Sequence, residues 1–305
     1  MPIQTAELAS EIRKGDRRAI AKGITLLEND APGSAQLLRL LKPPRKAFVV
    51  GVTGPPGTGK STLVDRLIGA YRQKGLKVGV VAIDPTSPIT GGALLGDRIR
   101  MAAHEGDNGV FIRSMATRGW TGGLSRAASQ TIQLLDAAGF NIILLETAGI
   151  GQSDIEVVAV AHAVLVVLMP GLGDEVQASK AGLMEIGDVY VVNKSDLEGA
   201  DSAVVSLLAI ARGMKSRAPA VVKVSALTGD GIDRLIEALE PIRKRFEVGT
   251  TDLQLRSVRG MIVETARGEM MKKLAAVSGS EAEELARQVI AGKLSVDEAA
   301  ARLSE

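Results

Sequence analysis

The residues best suited to chemistry lie in a glycine-rich stretch at residues 54–62, which reads GPPGTGKST. Its spacing, G-x-x-x-x-G-K-[S/T], is typical of a phosphate-binding loop, in which backbone N–H groups surround phosphate oxygens. We expect Lys60 to reach the β- and γ-phosphates and the Ser61 hydroxyl to ligate Mg²⁺. A strand-like apolar run precedes the loop and a helix-like run follows it, which disfavours a glycine-rich turn that binds nothing. The residues predicted to contact a nucleotide here are Gly54, Pro55, Pro56, Gly57, Thr58, Gly59, Lys60, Ser61 and Thr62.

A second stretch, Asn193-Lys194-Ser195-Asp196, predicts recognition of a guanine base. The Asp196 carboxylate can accept hydrogen bonds from guanine N1–H and the exocyclic amino group, and adenine offers neither donor there. Asn193 and the stem of Lys194 would hold the loop and the base plane. Further along, Ser225-Ala226-Leu227 can present a backbone N–H to guanine O6. N-K-x-D alone is often a solvated turn, but together with a phosphate loop it favours GTP or GDP over an adenine nucleotide.

Three acidic residues and a glycine-rich turn are candidates for the metal and the attacking water. Glu146 ends an apolar run and can hold Mg²⁺ directly or through its water shell, whereas Gly149 can give a backbone N–H to the γ-phosphate. Asp84 could orient or deprotonate the attacking water, and Gln152 is a further candidate for positioning it. Asp97 could touch Mg²⁺. The alternatives are a capping or solvent-facing acid for Glu146, an Asx-turn acid for Asp84 and a helix-start acid for Asp97.

Two further polar stretches are weaker candidates for a functional role. Residues 114–124 form a glycine-rich sequence in which Arg118 could stabilise charge, although a structural or partner-contacting loop is favoured. Asp174, Gln177 and Lys180 follow the spacing i, i+3, i+6 and so share roughly one side of a helix. From spacing alone, a solvated polar face is the favoured interpretation.

Most of these stretches follow apolar runs, which indicates how the fold would position them. Between residues 46 and 245 such runs alternate with helical segments, and most are continuously apolar, as in strands of a parallel sheet buried on both faces. We therefore predict an α/β P-loop NTPase with a doubly wound, mostly parallel sheet flanked by helices. Ligands of such sheets bind beyond the carboxyl ends of the strands. The predicted strands are Phe48–Thr53, Val78–Ile83, Val110–Ile112, Ile142–Leu145, Val164–Met169, Val189–Val192 and Val221–Val224.

Helical extensions are predicted on both sides of this region. The predicted segments are an N-terminal helical extension (1–45), a GTPase domain (46–245) and a C-terminal helical dimerisation arm (246–305). Asp16 is placed to cap a helix that runs through Leu27, and Ser295 with Glu298 forms a capping-box signature. The apolar face of the C-terminal helices must be buried on the main domain or on another chain. We favour a second copy, in a homodimer.

The composition of the chain argues against several kinds of partner and against disulfide bonds. The chain has 305 residues, a net charge of +2 with both signs interspersed, and no cysteine. We expect no nucleic-acid or membrane partner, no disulfides and a cytoplasmic location. Its longest apolar run, Val157–Met169, is too short to span a bilayer. His104 and His162 have no neighbours that suggest a metal site.

Taken in order, these motifs resemble one known family. The matching stretches are GPPGTGKST, DPTSP, LGDRIRM, SMATRG with GGLS, ETAGIGQS, PGLGDEVQASKAG and NKSD. They are similar to the MeaB/ArgK family of GTPases, which accompany adenosylcobalamin-dependent acyl-CoA mutases, notably methylmalonyl-CoA mutase. The resemblance covers about residues 46–245 and is specific there.

The resemblance implies a GTPase chaperone that gates delivery of adenosylcobalamin to the mutase and guards the mutase against inactivation. The cobalamin would be held by the mutase, and the chaperone would form a homodimer through its C-terminal arm. In this family the stretch matching Asp174, Gln177 and Lys180 is a switch that orders when the mutase binds. Lys180 would then stabilise charge during hydrolysis, with Asp84 and Asp97 near Mg²⁺ and the attacking water.

Two other functions are compatible with parts of the pattern. A nickel-delivery GTPase of the hydrogenase or urease maturation class would need Cys and His ligands, and this sequence has no cysteine and two isolated histidines. An ArgK-like kinase or transport ATPase would need an adenine site and a phosphoacceptor, and the N-K-S-D stretch argues against it.

Overall fold

A computed structural model describes residues 2–42, 46–84, 104, 106–116, 126–147, 149, 153–171, 183–213, 219–248, 252–276 and 279–304. The strands are β1 (Phe48–Thr53), β2 (Val78–Asp84), β3 (Val110–Ala116), β4 (Ile142–Glu146), β5 (Ala163–Leu168), β6 (Val189–Val192) and β7 (Ala220–Lys223). The helices are α1 (Pro2–Arg13), α2 (Arg17–Glu28), α3 (Ser34–Leu41), α4 (Lys60–Gln73), α5 (Arg126–Ala137), α6 (Ser153–Val160), α7 (Leu183–Ile186), α8 (Ala200–Gly213), α9 (Ile232–Glu247), α10 (Asp252–Ala276), α11 (Gly279–Ile290) and α12 (Val296–Ser304).

The seven strands form one sheet in the order β3-β2-β4-β1-β5-β6-β7, and every paired strand is parallel. From β1 the chain passes to β2 and β3 on one side, returns to place β4 between β2 and β1, and then continues to β5, β6 and β7 on the other side. This is the predicted doubly wound fold. All residues of β1, β4, β5 and β6 are buried, as their continuously apolar sequences predict. The carboxyl ends of the strands therefore share one edge, at which ligands of such folds bind.

Two apolar layers enclose the sheet, one on each face. Because successive strand residues point to opposite faces, Val49 and Leu145 join one layer, whereas Val50 and Leu144 join the other. Helices α4 and α9 contribute to the second layer, and α1–α3, α5 and α6 contribute to the first. The P-loop helix α4 is thereby fixed beside β1 by an apolar face.

One predicted strand was too short. Strand β3 continues to Ala116, so residues 114–116 lie in the sheet and not in the predicted polar loop. The reason is the neighbouring strand, because β2 pairs with β3 in register from Val78 opposite Val110 to Asp84 opposite Ala116. Met115 is buried by this pairing. The other strands match their predicted bounds to within one residue.

The N-terminal helices pack on the main domain. The predicted cap is present, because the Asp16 carboxylate accepts a hydrogen bond of 2.7 Å from the Ala19 N–H at the start of α2. The apolar face of α2, with Ile20 and Ile24, is fully buried in the same layer as α5. An ion pair between Glu28 and Arg113 of β3 adds a polar link to the sheet edge.

The described residues divide into two compact units, residues 1–261 and 262–305. In the first unit, the start of α10 is bonded to α6, because the Ser257 hydroxyl donates to the Val160 carbonyl at 2.7 Å. In the second unit, the predicted capping box forms: the Glu298 N–H donates to Ser295 Oγ, and the Ser295 N–H donates to Glu298 Oε2. The three-segment division and the homodimer stay predictions. None of the helices in the described ranges is long and apolar enough to cross a bilayer.

Candidate nucleotide site

The phosphate loop occupies the turn between β1 and α4 and is shaped by close backbone packing. Gly54 has φ of 138°, a conformation that side chains disfavour. A Cβ atom at this position would lie 2.1 Å from the Val167 carbonyl oxygen of β5. Only glycine therefore allows the loop to leave β1 this close to β5.

Lys60 is the first residue of α4, and its ammonium group lies under the loop. The side chain is 7% exposed, and Nζ donates to the carbonyl oxygens of Gly54 at 2.8 Å and Pro55 at 3.1 Å. The Thr58 hydroxyl donates to the same Pro55 carbonyl at 2.9 Å. A buried cation at a helix N-terminus, beneath a glycine-rich loop, is suited to holding phosphate oxygens.

Ser61 and Glu146 meet beside the loop. The Ser61 hydroxyl donates to Glu146 Oε1 at 2.6 Å, and both side chains are buried. Sheet register explains the meeting, because β4 lies next to β1 with Glu146 opposite Val52. A hydroxyl and a carboxylate are oxygen ligands of the kind Mg²⁺ prefers, and Mg²⁺ commonly takes one or two protein ligands together with phosphate oxygens and water. Among the described residues, no group of three or more His, Cys, Asp or Glu side chains is placed to hold a metal ion.

The turn after β4 reaches back to the phosphate loop at Gly149. A Cβ atom on Gly149 would lie 2.2 Å from the Gly54 carbonyl oxygen and 2.6 Å from Lys60 Nζ. Its φ of 78° is also in the region that favours glycine. The Gly149 backbone thus lies directly against the phosphate loop.

Asn193 joins the predicted base-binding segments to the phosphate loop. The side chain is 2% exposed; its Nδ2 donates to the Thr58 carbonyl at 2.8 Å, and its Oδ1 accepts from the Ala226 N–H at 2.9 Å. A single buried amide therefore satisfies groups from two loops that are far apart in sequence. Its removal would leave both backbone groups without this partner.

In the base site, the exposed Asp196 is paired with the buried Ser225. The Ser225 hydroxyl donates to Asp196 Oδ1 at 2.6 Å, and this hydrogen bond lowers the pKa of Asp196 from its ordinary value of 3.8. The carboxylate stays ionised at neutral pH, as an acceptor for guanine N1–H and N2–H would need. Lys194 has a positive φ of 56°, which turns the loop sharply between Asn193 and Asp196. Leu227 is 73% exposed at the tip of the second loop.

One contact to this site was not predicted from the sequence. Arg66 of α4 donates from Nε to the Ala226 carbonyl at 2.8 Å and from Nη2 to the Leu227 carbonyl at 2.6 Å. An arginine on an amphipathic helix is ordinarily a solvated residue, so no feature of the sequence pattern reveals this contact.

Several predicted residues lie outside the described residues, namely Asp97, Gln152, Asp174, Gln177 and Lys180. Asp84 is the last residue of β2, at the same sheet edge as the phosphate loop, but its side chain lies outside the description. The two histidines have ordinary partners: His104 Nε2 is 3.0 Å from Asp65 Oδ1, and His162 Nδ1 accepts from the Val49 N–H at 2.9 Å.

Comparison with known proteins identifies the family. The family described as "Methylmalonyl Co-A mutase-associated GTPase MeaB" matches residues 20–278. The chain belongs to the MeaB family. It is therefore a GTPase, with the P-loop GTPase fold described above, and the resemblance seen in the sequence is confirmed.

Similar proteins from several organisms support membership of this family. A candidate GTPase of Pyrococcus abyssi is 44% identical over 321 residues, which cover 96% of this chain and 99% of that protein. GTPase ArgK of Escherichia coli is 37% identical over 251 residues, 77% of this chain and 74% of ArgK. The mouse protein "Methylmalonic aciduria type A homolog, mitochondrial" is 33% identical over 257 residues, 76% of this chain and 61% of the mouse protein.

Solved structures share the architecture. A structure described as LAO/AO transport system kinase aligns with a TM-score of 0.71 and 26% identity, covering 99% of this chain and 97% of that one. HypB from Helicobacter pylori, solved with nickel, aligns with a TM-score of 0.52 and 18% identity over 72% of this chain and 95% of HypB. The second likeness shows the fold alone.

Proposed function

We propose that this MeaB-family GTPase is a chaperone that gates adenosylcobalamin loading and protects a B12-dependent acyl-CoA mutase of the methylmalonyl-CoA mutase type. The observation that carries the proposal is the family match over residues 20–278, because the description of the family itself names the mutase. The name of the mouse relative, which refers to methylmalonic aciduria, points to the same metabolic context. We further propose that the chain works as a cytoplasmic homodimer and that adenosylcobalamin is involved only through the partner mutase.

In the proposed mechanism, Lys60 neutralises charge on the β- and γ-phosphates from its position beneath the loop. Ser61 and Glu146 would hold Mg²⁺, and the metal ion would supply positive charge that offsets the charge developing during phosphoryl transfer. To hold the metal, the Ser61 hydroxyl would have to release its hydrogen bond to Glu146. We assign the direct metal role to these residues because their oxygens already lie together at the loop.

The remaining roles concern the attacking water and the response to the partner. Asp84 orients the water, with Gln152 and Asp97 as further candidates, while the Gly149 N–H reports the presence of the γ-phosphate. Water attacks the γ-phosphorus, the bond to the β-phosphate oxygen breaks, and GDP and inorganic phosphate leave. Asp174, Gln177 and Lys180 act as the switch that responds when the mutase binds. Lys180 then stabilises the charge that develops on the phosphates during hydrolysis.

The test is to mix the full-length chain with methylmalonyl-CoA mutase in the presence of GDP or a non-hydrolysable GTP analogue. We expect a complex whose stability depends on the nucleotide, seen by light scattering after gel filtration, and faster GTP hydrolysis in the mixture. GTP hydrolysis with no complex in either nucleotide state would contradict the chaperone role. Faster turnover of ATP than of GTP would instead favour the transport-kinase alternative.

A matched pair of lysine variants sharpens this test. Lys180→Ala is expected to abolish the acceleration of GTP hydrolysis by the mutase, because the partner-induced charge stabiliser is lost. Lys74→Ala removes an exposed lysine that follows α4 and should leave the acceleration intact. Equal acceleration in both variants would remove Lys180 from the mechanism.

A further inference from the structure

Arg66 contacts the stretch Ser225-Ala226-Leu227, called the base-binding loop below, and this contact has no part in the mechanism proposed above. Arg66 lies on α4, the helix that begins at the phosphate-binding Lys60, and reaches a loop 160 residues later in the sequence. Its guanidinium donates to two successive carbonyl groups, those of Ala226 and Leu227. Arginine is suited to this, because its rigid planar fork carries several donors at fixed angles.

Fixing these carbonyls also fixes the amides that share their peptide planes. In a trans peptide the C=O and N–H groups are coplanar and point in opposite directions. The Ala226 carbonyl, held by Arg66 Nε, therefore directs the Leu227 N–H away from the arginine. The Leu227 carbonyl likewise directs the Thr228 N–H, and that amide donates to Ser225 Oγ at 3.3 Å, inside the loop.

The hydrogen bonds of this loop single out the Leu227 amide. The Ala226 N–H is used by Asn193 Oδ1, and the Gly229 N–H is used by the Ser225 carbonyl. Within the part of the chain that the structure describes, no acceptor takes the Leu227 N–H. Leu227 is also highly exposed, beside the Asp196–Ser225 pair that would meet the other edge of guanine.

We propose that Arg66 is a positioning residue for guanine recognition, which holds the Leu227 peptide so that its N–H donates to guanine O6. Adenine carries an amino group at this position, so a fixed N–H there faces another donor and the base is rejected. The guanidinium charge on the Ala226 carbonyl also polarises the peptide and strengthens its N–H as a donor. The proposal depends on the guanine site and is independent of the mutase.

The test measures dissociation constants for GDP, IDP and ADP with Mg²⁺, by competition against a fluorescent GDP analogue. IDP keeps O6 and N1–H but lacks the 2-amino group, so it reports the Leu227 contact without the full Asp196 contact. In Arg66→Ala, we expect GDP and IDP to weaken by the same factor, about 3- to 10-fold, the effect of losing one well-placed hydrogen bond. ADP affinity should be unchanged, so the preference for GDP over ADP falls by that factor.

Two further variants separate positioning from general stability. Arg66→Lys keeps the charge but cannot bind both carbonyls with one rigid fork, so its selectivity should fall between those of wild type and Arg66→Ala. Arg234→Ala removes an exposed arginine from α9, the helix that follows the same loop, and should change nothing. Thermal unfolding of each variant without nucleotide checks that the fold is intact.

Two results would overturn the proposal. If GDP, IDP and ADP weaken equally in Arg66→Ala, the arginine supports the whole site and does not position a base-reading amide. If none of the three changes, the contact has no role in binding. A wild-type protein that binds ADP as well as GDP would instead refute the guanine site itself, so the two failures are distinguishable.

Discussion

The phosphate loop and the base-binding loop lie at the same sheet edge but are held in place by different means. The phosphate loop depends on backbone packing, with Gly54 pressed against β5 and Gly149 against the Gly54 carbonyl. The base-binding loop depends on side chains: Asn193 Oδ1 accepts a hydrogen bond from the Ala226 N–H, and Ser225 and Arg66 donate hydrogen bonds. Contacts to phosphate are the same for every nucleotide and suit a rigid backbone cradle, whereas recognition of one base needs particular side chains.

Asn193 is the point at which the two regions meet. It bonds to Thr58 in the phosphate loop and to Ala226 in the base-binding loop. A change at Asn193 should therefore affect both regions, whereas a change inside either loop should affect that region first. Three substitutions test this division, beginning with the largest expected effect.

The largest effect is expected from Gly54→Ala. The new methyl group would meet the Val167 carbonyl, and alanine disfavours the φ of 138° found here. We expect a loss of about 2–4 kcal/mol in the free energy of unfolding and weaker binding of all nucleotides alike. Urea unfolding and GDP titration measure the two effects.

Gly69→Ala is the matched control for this change. Gly69 lies inside α4, and no heavy atom lies within 4 Å of an added Cβ. The substitution should leave the stability unchanged or raise it by up to about 1 kcal/mol. A Gly54→Ala protein as stable as this control would show that backbone packing does not hold the phosphate loop.

A smaller effect, shared by both regions, is expected from Asn193→Ala. The Thr58 carbonyl and the Ala226 N–H both lose a buried partner, which should cost about 1–3 kcal/mol of stability. Binding of GDP and of ADP should weaken together, because the phosphate loop moves as well as the base-binding loop. Calorimetric titration of both nucleotides is the measurement.

Asn141→Ala is the control at the other end of the sheet. Its side chain accepts from the Lys77 N–H at 2.8 Å, and its loss should affect stability without changing nucleotide affinity. A variant at Asn193 that loses only selectivity for guanine would contradict the bridging role.

The smallest effect is expected from Ser225→Ala, on the pKa of Asp196. The Ser225 hydroxyl lowers that pKa, so its removal should raise the pKa toward 3.8. The sign follows from linkage: stability from this bond is present above the unfolded pKa and is lost as the pH falls through the folded pKa. The variant should thus be less stable than wild type near neutral pH and nearly equal to it in acid.

Carbon-13 NMR titration of the Asp196 carboxyl group measures this shift directly. Ser206→Ala, which removes an exposed hydroxyl from α8, should leave the Asp196 titration unchanged. An unchanged pKa in Ser225→Ala would mean that the hydroxyl is not the main influence on this carboxylate.

Much of the fold followed from local sequence patterns. The seven strands were predicted because they are short runs, most of them continuously apolar, between helical segments, and helix caps such as Asp16 depend on neighbouring residues alone. Strand β3 was underestimated because its last residues are held by pairing with β2, which a single run of sequence does not reveal. The predicted roles of Asp97, Gln152 and Lys180 stay predictions, since these residues lie outside the described part of the chain.

By itself, the sequence determined the phosphate-loop motif, the guanine-type N-K-x-D stretch and the parallel α/β architecture, because each depends on residues close together in the chain. Only the tertiary structure decided which distant residues meet. Ser61 and Glu146 are 85 residues apart, and Arg66 and Ala226 are 160 apart, yet each pair is joined by a hydrogen bond. The physical reason is that strand order and register set these contacts, and both result from packing of the whole sheet.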